Sequence, residues 1–373
     1  MKTSIQWLND YVDHRLKPQE LSERLTMAGL EVEDLTSFGD TQVLQMEITP
    51  NRPDCLSILG IAREVSAIFQ KPLKLPQIKK LSKVSAKIPI FIEDKELCGR
   101  YVGAVIRGVH VKESPQWLKE RIEAVGLKSI NNIVDITNFC LMEMGQPLHA
   151  FDYDKISGGQ IHVRRARSGE QIMTLDGQTH KLNNDVLVIA DESQPIAIAG
   201  IMGGHDSQIT SGTKNILLES AHFSFGLIRR TTRSLGLNTD SSYRFERGVH
   251  WETIERCSAR AIDLILSISG GRLESFRDVV SQRPTIHKRT ITLFSQQIED
   301  LLGVCPSQAK CKSILSKLGF NTKIVKNGVF KIDVPDYRQD VSQPVDIIEE
   351  IARVIGFDHL PMTIPQIKAL NIP

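Results

Sequence analysis

The sequence predicts an α+β protein built from several domains. With 373 residues the chain exceeds the ~100–200 residues of one typical domain. Strand-like and amphipathic helical runs both occur, but they do not follow the regular strand–helix alternation of a parallel α/β sheet. A proline- and lysine-rich stretch interrupts the pattern early in the chain. These observations favour a small N-terminal α+β domain, a large mixed α/β domain and a smaller C-terminal domain.

The composition excludes some function classes. The net charge is only +2, so no global basic field indicates a nucleic-acid-binding protein, and any such partner must be bound by local patches. The six cysteines are dispersed and form no C-x-x-C pair, which argues against a zinc site. Neither a signal-peptide pattern nor a run of about 20 apolar residues occurs. We therefore expect a cytoplasmic protein with reduced thiols and with no membrane or DNA partner.

Residues 1–75 carry the pattern of a small α+β domain. A helix is predicted from Ser4, and a second helix has Pro18 early and Gly29 at its end. Two half-buried strands at 32–38 and 43–49, and an amphipathic helix at 59–69, complete the segment. A basic linker follows over residues 76–97; it could contact phosphates but is more typical of a solvated connection.

Residues 98–284 predict one large domain. The pattern contains two long helices, 114–126 and 251–270, and many glycine turns, without a clean βαβ repeat. The predicted strands are 101–109, 161–166, 185–191, 195–202 and 215–223. Such a pattern favours a mostly antiparallel sheet structure.

Residues 285–373 predict a third domain. Its clearest signal is Asn327-Gly328 between two alternating runs, which indicates a β-hairpin. The other predicted elements are a strand at 290–293, helices at 295–303 and 306–319, and a final helix from Pro344.

Four carboxylates lie at the start of that final helix. Asp346, Glu349 and Glu350 fall on one helix face, and Asp340 lies just before it. Acids in a first helical turn stabilise the helix dipole, and that is one interpretation. The other is a Mg²⁺ site, because Mg²⁺ binds one or two carboxylates together with water.

Several residues of the middle segment carry chemistry-bearing groups. His149 lies beside a Gly-Gln-Pro turn, where a histidine is either structural or catalytic. Glu219 ends an apolar strand, a costly position for a carboxylate unless it has a salt-bridge partner or a function. Arg229, Arg230 and Arg233 lie close together on a predicted helix, where they form a solvated face or contact RNA phosphates. The stretch 237–248, "LNTDSSYRFERG", predicts either a solvated loop or the lining of a site.

The order of five long motifs resembles the β subunit of bacterial phenylalanyl-tRNA synthetase. These motifs are "TPNRPDCLSILGIARE", "GQPLHAFDYDKI", "GIMGGHDS", "LNTDSSYRFERG" and "DYRQDVSQPVDIIEEIARVIGF". The resemblance implies an N-terminal B1-like domain, a B3/B4 tRNA-editing domain and a B5 domain of DNA-binding-like fold. It also implies a shortened form that lacks the OB-fold tRNA-binding module and the C-terminal catalytic-like and anticodon-binding domains.

The resemblance implies a function and a site. It implies hydrolysis of tyrosyl-tRNA(Phe), with no aminoacylation by this chain alone, and recognition of the tyrosine hydroxyl by Glu219. It places His149 and Thr239 near the ester at the tRNA(Phe) 3′ end, and Arg244 beside the terminal adenosine or a pocket carboxylate. The implied substrate-binding positions are Gly203 and Gly204, which let backbone approach, and Ser241, where the family often has alanine.

The same resemblance matches Asp340, Asp346, Glu349 and Glu350 to Mg²⁺-binding positions that the family shares with its α subunit. That α subunit is therefore an expected partner. Two alternatives remain open: a non-catalytic partner or an RNA- or amino-acid-binding subunit, and a shortened β subunit acting with an α chain in phenylalanine–tRNA ligation.

Overall fold

The computed structural model describes residues 1–79, 81, 84, 86–282 and 289–362. Parts of the predicted linker and the predicted boundary at residue 284 lie outside these residues. Within them, no helix is both long and apolar enough to cross a membrane.

The N-terminal segment forms a three-stranded antiparallel sheet covered by helices; two of the strands were predicted from the sequence and the short strand at Lys2–Ser4 was not. Ser4 caps the first helix by accepting a hydrogen bond from the Trp7 amide, and Gly29 takes a positive φ of 87° after the second. The strand order is β1-β3-β2. The elements are β1 Lys2–Ser4, α1 Ile5–Asn9, α2 Pro18–Met27, β2 Val32–Phe38, β3 Thr41–Met46 and α3 Ile58–Ile68.

The middle segment contains eleven strands and five helices within the described residues. The strands are β4 Ile90–Ile92, β5 Cys98–Arg107, β6 Leu148–Asp152, β7 Ile161–Arg165, β8 Gln171–Met173, β9 Thr179–Lys181, β10 Leu187–Ala190, β11 Pro195–Ile198, β12 Met202–Gly203, β13 Asn215–Phe223 and β14 Arg272–Val280. The helices are α4 Gln116–Ala124, α5 Asn132–Met144, α6 Phe225–Leu235, α7 Asp240–Phe245 and α8 Trp251–Ser269.

Two sheets build this segment, with orders β14-β5-β13-β6 and β12-β11-β10-β7-β4, beside a β8–β9 pair. All pairs of these named strands are antiparallel except β4 with β7, which confirms the predicted mostly antiparallel arrangement. One core fills the space between the two sheets. The opposite face of the four-stranded sheet packs with α5 and α8 into a second core, which continues into the N-terminal segment.

Helix α5 is absent from the sequence-based prediction. Of its thirteen residues, only Val134 and Asn138 are not buried. A helix buried on nearly all sides loses the polar face that reveals helical periodicity, so the sequence pattern did not predict it.

The C-terminal segment matches its predicted order. Its antiparallel sheet has the order β15-β17-β16, with the hairpin turn at Asn327-Gly328. The elements are β15 Thr290–Phe294, α9 Ser295–Leu302, α10 Gln308–Lys317, β16 Asn321–Lys326, β17 Val329–Asp333 and α11 Pro344–Ile355.

A buried network of ion pairs joins the first and last segments. Arg353 on α11 donates to Glu64 on α3, 3.1 Å between Nη2 and Oε1, and to Glu350, 2.9 Å between Nε and Oε1. Arg52 also binds Glu64, while Arg338 binds Glu350 at 2.7 Å. Burial alone would raise the pKa of Glu350, but Arg353 and Arg338 more than offset it and lower the pKa well below its usual value.

We expect Arg353→Met to destabilise the protein by ~3–5 kcal/mol, because it leaves Glu64 and Glu350 buried with half of their neutralising charge removed. The measurement is urea unfolding of the single variants Arg353→Met and Glu64→Gln and of the double variant. The double variant should lose clearly less stability than the two single losses added together. Additive losses would show that the ion pair does not couple α3 to α11.

Candidate functional site

A cavity of about 430 Å³ lies in the middle segment. Its walls come from β6, β13, the segment from β11 to β12, helix α5 and the beginning of α7. The lining is mainly aliphatic and includes Leu141, Leu148, Ile189, Ile198 and Ile201. It contains no cysteine, lysine or arginine side chain among the described residues.

Glu219 and His149 form the polar part of this lining. They lie directly opposite each other on β13 and β6, so both side chains project from the same face of the sheet. Glu219 is 6% exposed, and its carboxyl group forms no hydrogen bond or ion pair with any described residue. The Nε2 atom of His149 is buried and likewise has no partner there. The salt-bridge interpretation of Glu219 is therefore not supported by the structure.

Burial shifts the two ionisable groups in opposite directions. It raises the pKa of Glu219 to about 8 and lowers the pKa of His149 to about 4. Both side chains are therefore uncharged at neutral pH, when Glu219 is a carboxylic acid that donates as well as accepts a hydrogen bond. Shifted pKa values of two groups in one cavity are typical of functional sites.

Gly203 and Gly204 bring backbone close to this pair. A Cβ atom at Gly203 would lie 2.4 Å from Cε1 of His149, and one at Gly204 would lie 2.7 Å from the carbonyl oxygen of Ile196. Neither position has room for a side chain. Of the two, only Gly203 lines the cavity, whereas Gly204 pairs its amide with Ile196 behind it.

The polar stretch 237–248 is neither a solvated loop nor wholly a site lining, because much of it forms α7. Thr239 caps this helix, accepting a hydrogen bond from the Ser242 amide at 3.0 Å and donating to the Ile201 carbonyl at 2.9 Å. Ser241 donates to the carbonyl of Gly200 at 3.1 Å. Thr239 and Ser241 both line the cavity, but their hydroxyl groups also hold the adjacent 200–201 segment in place.

Arg244 lies on the buried side of α7, outside the cavity lining. Its guanidinium group donates to the Leu56 carbonyl at 3.1 Å and contacts the sulfur of Met142 at 3.2 Å. It also pairs with Asp240, a carboxylate that does line the cavity, at 3.0 Å. In this arrangement Arg244 positions α7 and neutralises a carboxylate of the cavity.

The four acids of the predicted Mg²⁺ site have different partners. Arg338 binds both Asp340 and Glu350, at 2.8 and 2.7 Å, while Asp346 accepts the Ser342 and Gln343 amides. Glu349 is exposed. Guanidinium or amide groups occupy oxygens of Asp340, Glu350 and Asp346, so these three acids do not fit a shared Mg²⁺ ion in this arrangement, whereas Glu349 has no such partner among the described residues. The helix-capping interpretation fits Asp346.

One other acidic cluster occurs among the described residues. Potential metal-ligating atoms of Asp54, Cys55 and Glu64 lie within 4.8 Å of one another, and all three residues are buried. Arg52 donates to Asp54 at 2.9 Å and also binds Glu64. Burial favours the protonated form of Asp54, but Arg52 outweighs it and lowers the pKa to about 2. This cluster belongs to the ion-pair network.

Much of the cavity lining escaped the sequence-based prediction of the site, including the polar residues Asn138, Gln208 and Asp240. Asn138 lies on α5, and Gln208 lies between β12 and β13; both side chains line the cavity without hydrogen-bond partners among the described residues. Asp240 lies within the polar stretch but was not selected. Since α5 itself was not predicted, no local pattern indicated that Asn138 lines the same cavity as Glu219.

Family models match two parts of the chain. Residues 97–270 match the B3/4 domain, which contains the whole cavity, and residues 291–357 match the tRNA synthetase B5 domain. A solved structure, an N-terminal fragment of the phenylalanyl-tRNA synthetase β-subunit from Pyrococcus horikoshii, aligns over 95% of this chain and 99% of its own. Its TM-score of 0.52 at 14% identity indicates a shared fold.

Curated relatives cover most of this chain. The phenylalanine–tRNA ligase beta subunit of Geobacter metallireducens is 42% identical over 346 residues, which are 92% of this chain and 43% of that protein. The corresponding subunit of Carboxydothermus hydrogenoformans is 44% identical over 340 residues, 90% of this chain and 42% of that protein. The chain thus spans less than half the length of either relative.

We expect Glu219 to make stability fall as the pH rises. The unfolded chain releases this proton near pH 4.5, but the folded protein retains it until about pH 8, so the folded state is progressively disfavoured between those values. Glu219→Gln has no such proton. Its stability advantage over the unmodified protein should therefore grow between pH 5 and 8 and then level off, at a value on the order of 5 kcal/mol for the full shift from 4.5 to about 8.

The measurement is thermal or urea unfolding at several pH values. Exposed Glu113, substituted to glutamine, is the matched control and should show no such trend. A constant difference between Glu219→Gln and the unmodified protein from pH 5 to 9 would contradict a raised pKa for Glu219.

Proposed function

Because this chain belongs to the phenylalanine–tRNA ligase beta-subunit family, we propose that its cavity hydrolyses the ester of wrongly charged tyrosyl-tRNA(Phe). The proposal includes binding of the tRNA(Phe) 3′ end and partnership with an α subunit in the cytoplasm, as part of protein synthesis. The observation that carries it is Glu219, an uncharged and unpartnered carboxyl group in a largely aliphatic cavity.

The need for a second site follows from the chemistry of the two amino acids. A hydrophobic pocket that accepts phenylalanine cannot strongly reject tyrosine, which merely adds a hydroxyl group. A cavity that hydrogen-bonds the phenol selects tyrosine, because phenylalanine leaves the polar group of the cavity without a partner. Protonated Glu219 can donate a hydrogen bond to the phenolic oxygen or accept one from the phenolic O–H, while Leu148 and Ile198 contact the ring.

The hydrolytic step uses a water molecule as the attacking group. Within the part of the chain that the structure describes, the cavity lining has no cysteine or lysine nucleophile, and the hydroxyl groups of Thr239 and Ser241 already donate to the carbonyls of Ile201 and Gly200. Catalysis would then rest on holding the ester and the water against fixed groups of the cavity wall. In this proposal His149, with Gly203 packed against it, lies beside the ester. Thr239 holds the 200–201 segment of the cavity wall in place.

A second candidate function is binding without hydrolysis, in which the cavity senses an amino acid or holds RNA for a partner. One observation favours it: no cavity side chain forms a hydrogen-bonded pair of base and nucleophile among the described residues. A contribution to phenylalanine–tRNA ligation with an α chain is the third candidate, favoured by the identity to curated beta subunits.

We expect the purified chain to deacylate tyrosyl-tRNA(Phe) and to leave phenylalanyl-tRNA(Phe) largely intact. Glu219→Leu should lower the rate with the tyrosyl substrate roughly 100-fold, because the phenol loses its partner. Glu219→Gln should retain much more activity, since an amide also donates and accepts. The measurement is release of radiolabelled amino acid, with Glu113→Gln as the control.

Equal decay with and without the protein would contradict hydrolysis by the isolated chain. Binding of tyrosine to the unmodified protein but not to Glu219→Leu, without any deacylation, would instead support the binding function.

We expect Ser241→Ala to affect stability more than specificity. It removes the hydrogen bond to the Gly200 carbonyl, which should cost about 1 kcal/mol in unfolding experiments. Discrimination between tyrosyl and phenylalanyl esters should stay within about threefold, because the hydroxyl group is committed to the protein backbone. A larger change in discrimination would show that Ser241 contacts the amino acid.

A further inference from the structure

Helix α6 presents one exposed face with three arginines and an aromatic ring. Phe225, Arg229 and Arg233 are spaced four residues apart, so they follow one another along the helix, and Arg230 lies beside them. All four residues are exposed, with Phe225 at 63%. We call these four residues the α6 face.

The arginines of this face have no partners among the described residues. None of them forms a hydrogen bond, an ion pair or a ring contact there. By contrast, Arg244 on α7 and Arg247 just after that helix both pair with carboxylates. Helix α6 contains no acidic residue, so its positive charge is not balanced along its own length.

The α6 face is rigidly mounted. The opposite side of the helix buries Leu227, Ile228, Thr231 and Thr232, and both aliphatic residues belong to the core between the two sheets. The side chain of Arg230 extends back along the helix, where its Nη1 lies 3.7 Å from the position of a Cβ on Gly226. The backbone that carries the three arginines is therefore fixed before any ligand binds, so binding costs little backbone entropy.

The helix also joins two walls of the cavity. Strand β13, which carries Glu219, ends at Phe223 directly before α6, and Thr239 follows its last turn after Gly236. Eleven residues span only ~16 Å along a helix, so the α6 face lies close to the cavity. Arg229 and Arg233 are ~6 Å apart along the axis, near the spacing of adjacent phosphates in an extended strand.

We propose that the α6 face binds the phosphate backbone of the RNA whose 3′ end enters the cavity. Unpaired arginines beside an exposed aromatic ring are typical of single-stranded nucleic-acid binding, in which cations contact phosphates and the ring stacks on a base. Arg229, Arg230 and Arg233 bind phosphates of the acceptor end, and Phe225 stacks on an unpaired base. The identity of the RNA rests on the proposed function. The binding of RNA phosphates by the α6 face does not depend on it.

The test is binding of a fluorescent RNA hairpin, carrying the acceptor stem and single-stranded 3′ end of tRNA(Phe), at several KCl concentrations. The triple variant Arg229→Gln, Arg230→Gln, Arg233→Gln should bind roughly tenfold more weakly at low salt, and the salt dependence of log K should be shallower by about two. Phe225→Ala should weaken binding only when the 3′ end is single-stranded.

A matched control removes the same charge elsewhere. Lys323, Lys326 and Lys331 are exposed on the C-terminal sheet, and their triple substitution to glutamine should leave both quantities nearly unchanged. Equal effects of the two triple variants would overturn the proposal, since they would indicate only nonspecific attraction by net charge. Failure of the unmodified chain to bind the hairpin would also overturn the proposal, and would favour an acidic protein surface as the partner of the α6 face.

The binding assay separates this inference from the proposed function. If the hairpin binds through α6 but tyrosyl-tRNA(Phe) is not deacylated, the α6 proposal survives and the hydrolytic one fails. If deacylation occurs, the α6 triple variant should raise KM with little change in kcat. An unchanged KM would overturn the role of α6 in holding the substrate.

Discussion

The pairing of Arg353 with Glu64 is the interaction on which the arrangement of the domains depends. It joins α11 to α3, although the two residues are 289 positions apart in the chain. Both side chains are buried, so neither can lose its partner without leaving a charge in a medium that solvates it poorly. Arg52 and Arg338 extend the pair into a network with Asp54, Asp340 and Glu350. The acids that the sequence suggested as metal ligands are thus used in part to hold the first and last segments together.

The same region is connected to the cavity wall through Arg244. Leu56, whose carbonyl accepts from Arg244, follows directly after Asp54 and Cys55 of the network. Arg244 in turn holds α7, and α7 holds the 200–201 segment through Thr239 and Ser241. A buried guanidinium group with several acceptors fixes geometry more firmly than aliphatic packing does, because each donor specifies a direction. The N-terminal segment therefore supports the cavity although it contributes no residue to the lining.

Local signals predicted turns, helix ends and apolar runs of strand length. Asn327-Gly328 marked its hairpin, Ser4 and Gly29 marked helix ends, and the strand carrying Glu219 was predicted at 215–223, where the structure has it. Helix α5 was missed because it is buried almost all round, and Asn138 was missed with it.

Contacts between distant segments could not be predicted either, because they leave no pattern in the local sequence. Arg338 and Arg353 lie only two and three residues from acids that they neutralise, so those pairs are visible in the sequence. No local pattern reveals that Arg353 also binds Glu64 on α3, and the spacing of the acids fits a metal site and an ion-pair network equally well.

Glu219 and Glu64 show how the surroundings decide what a buried carboxyl group can do. Both are almost inaccessible, yet two arginines hold Glu64 ionised and lower its pKa, whereas Glu219 has no cation beside it and its pKa is raised. An ionised, fully paired carboxylate is a structural group, because all of its acceptor capacity is used. A protonated carboxyl group without a partner retains both a donor and an acceptor, and folding gains nothing from burying it. A position that costs stability and faces a cavity fits a ligand that supplies the missing hydrogen bonds, and in the proposed function the phenol of tyrosine offers Glu219 both a donor and an acceptor.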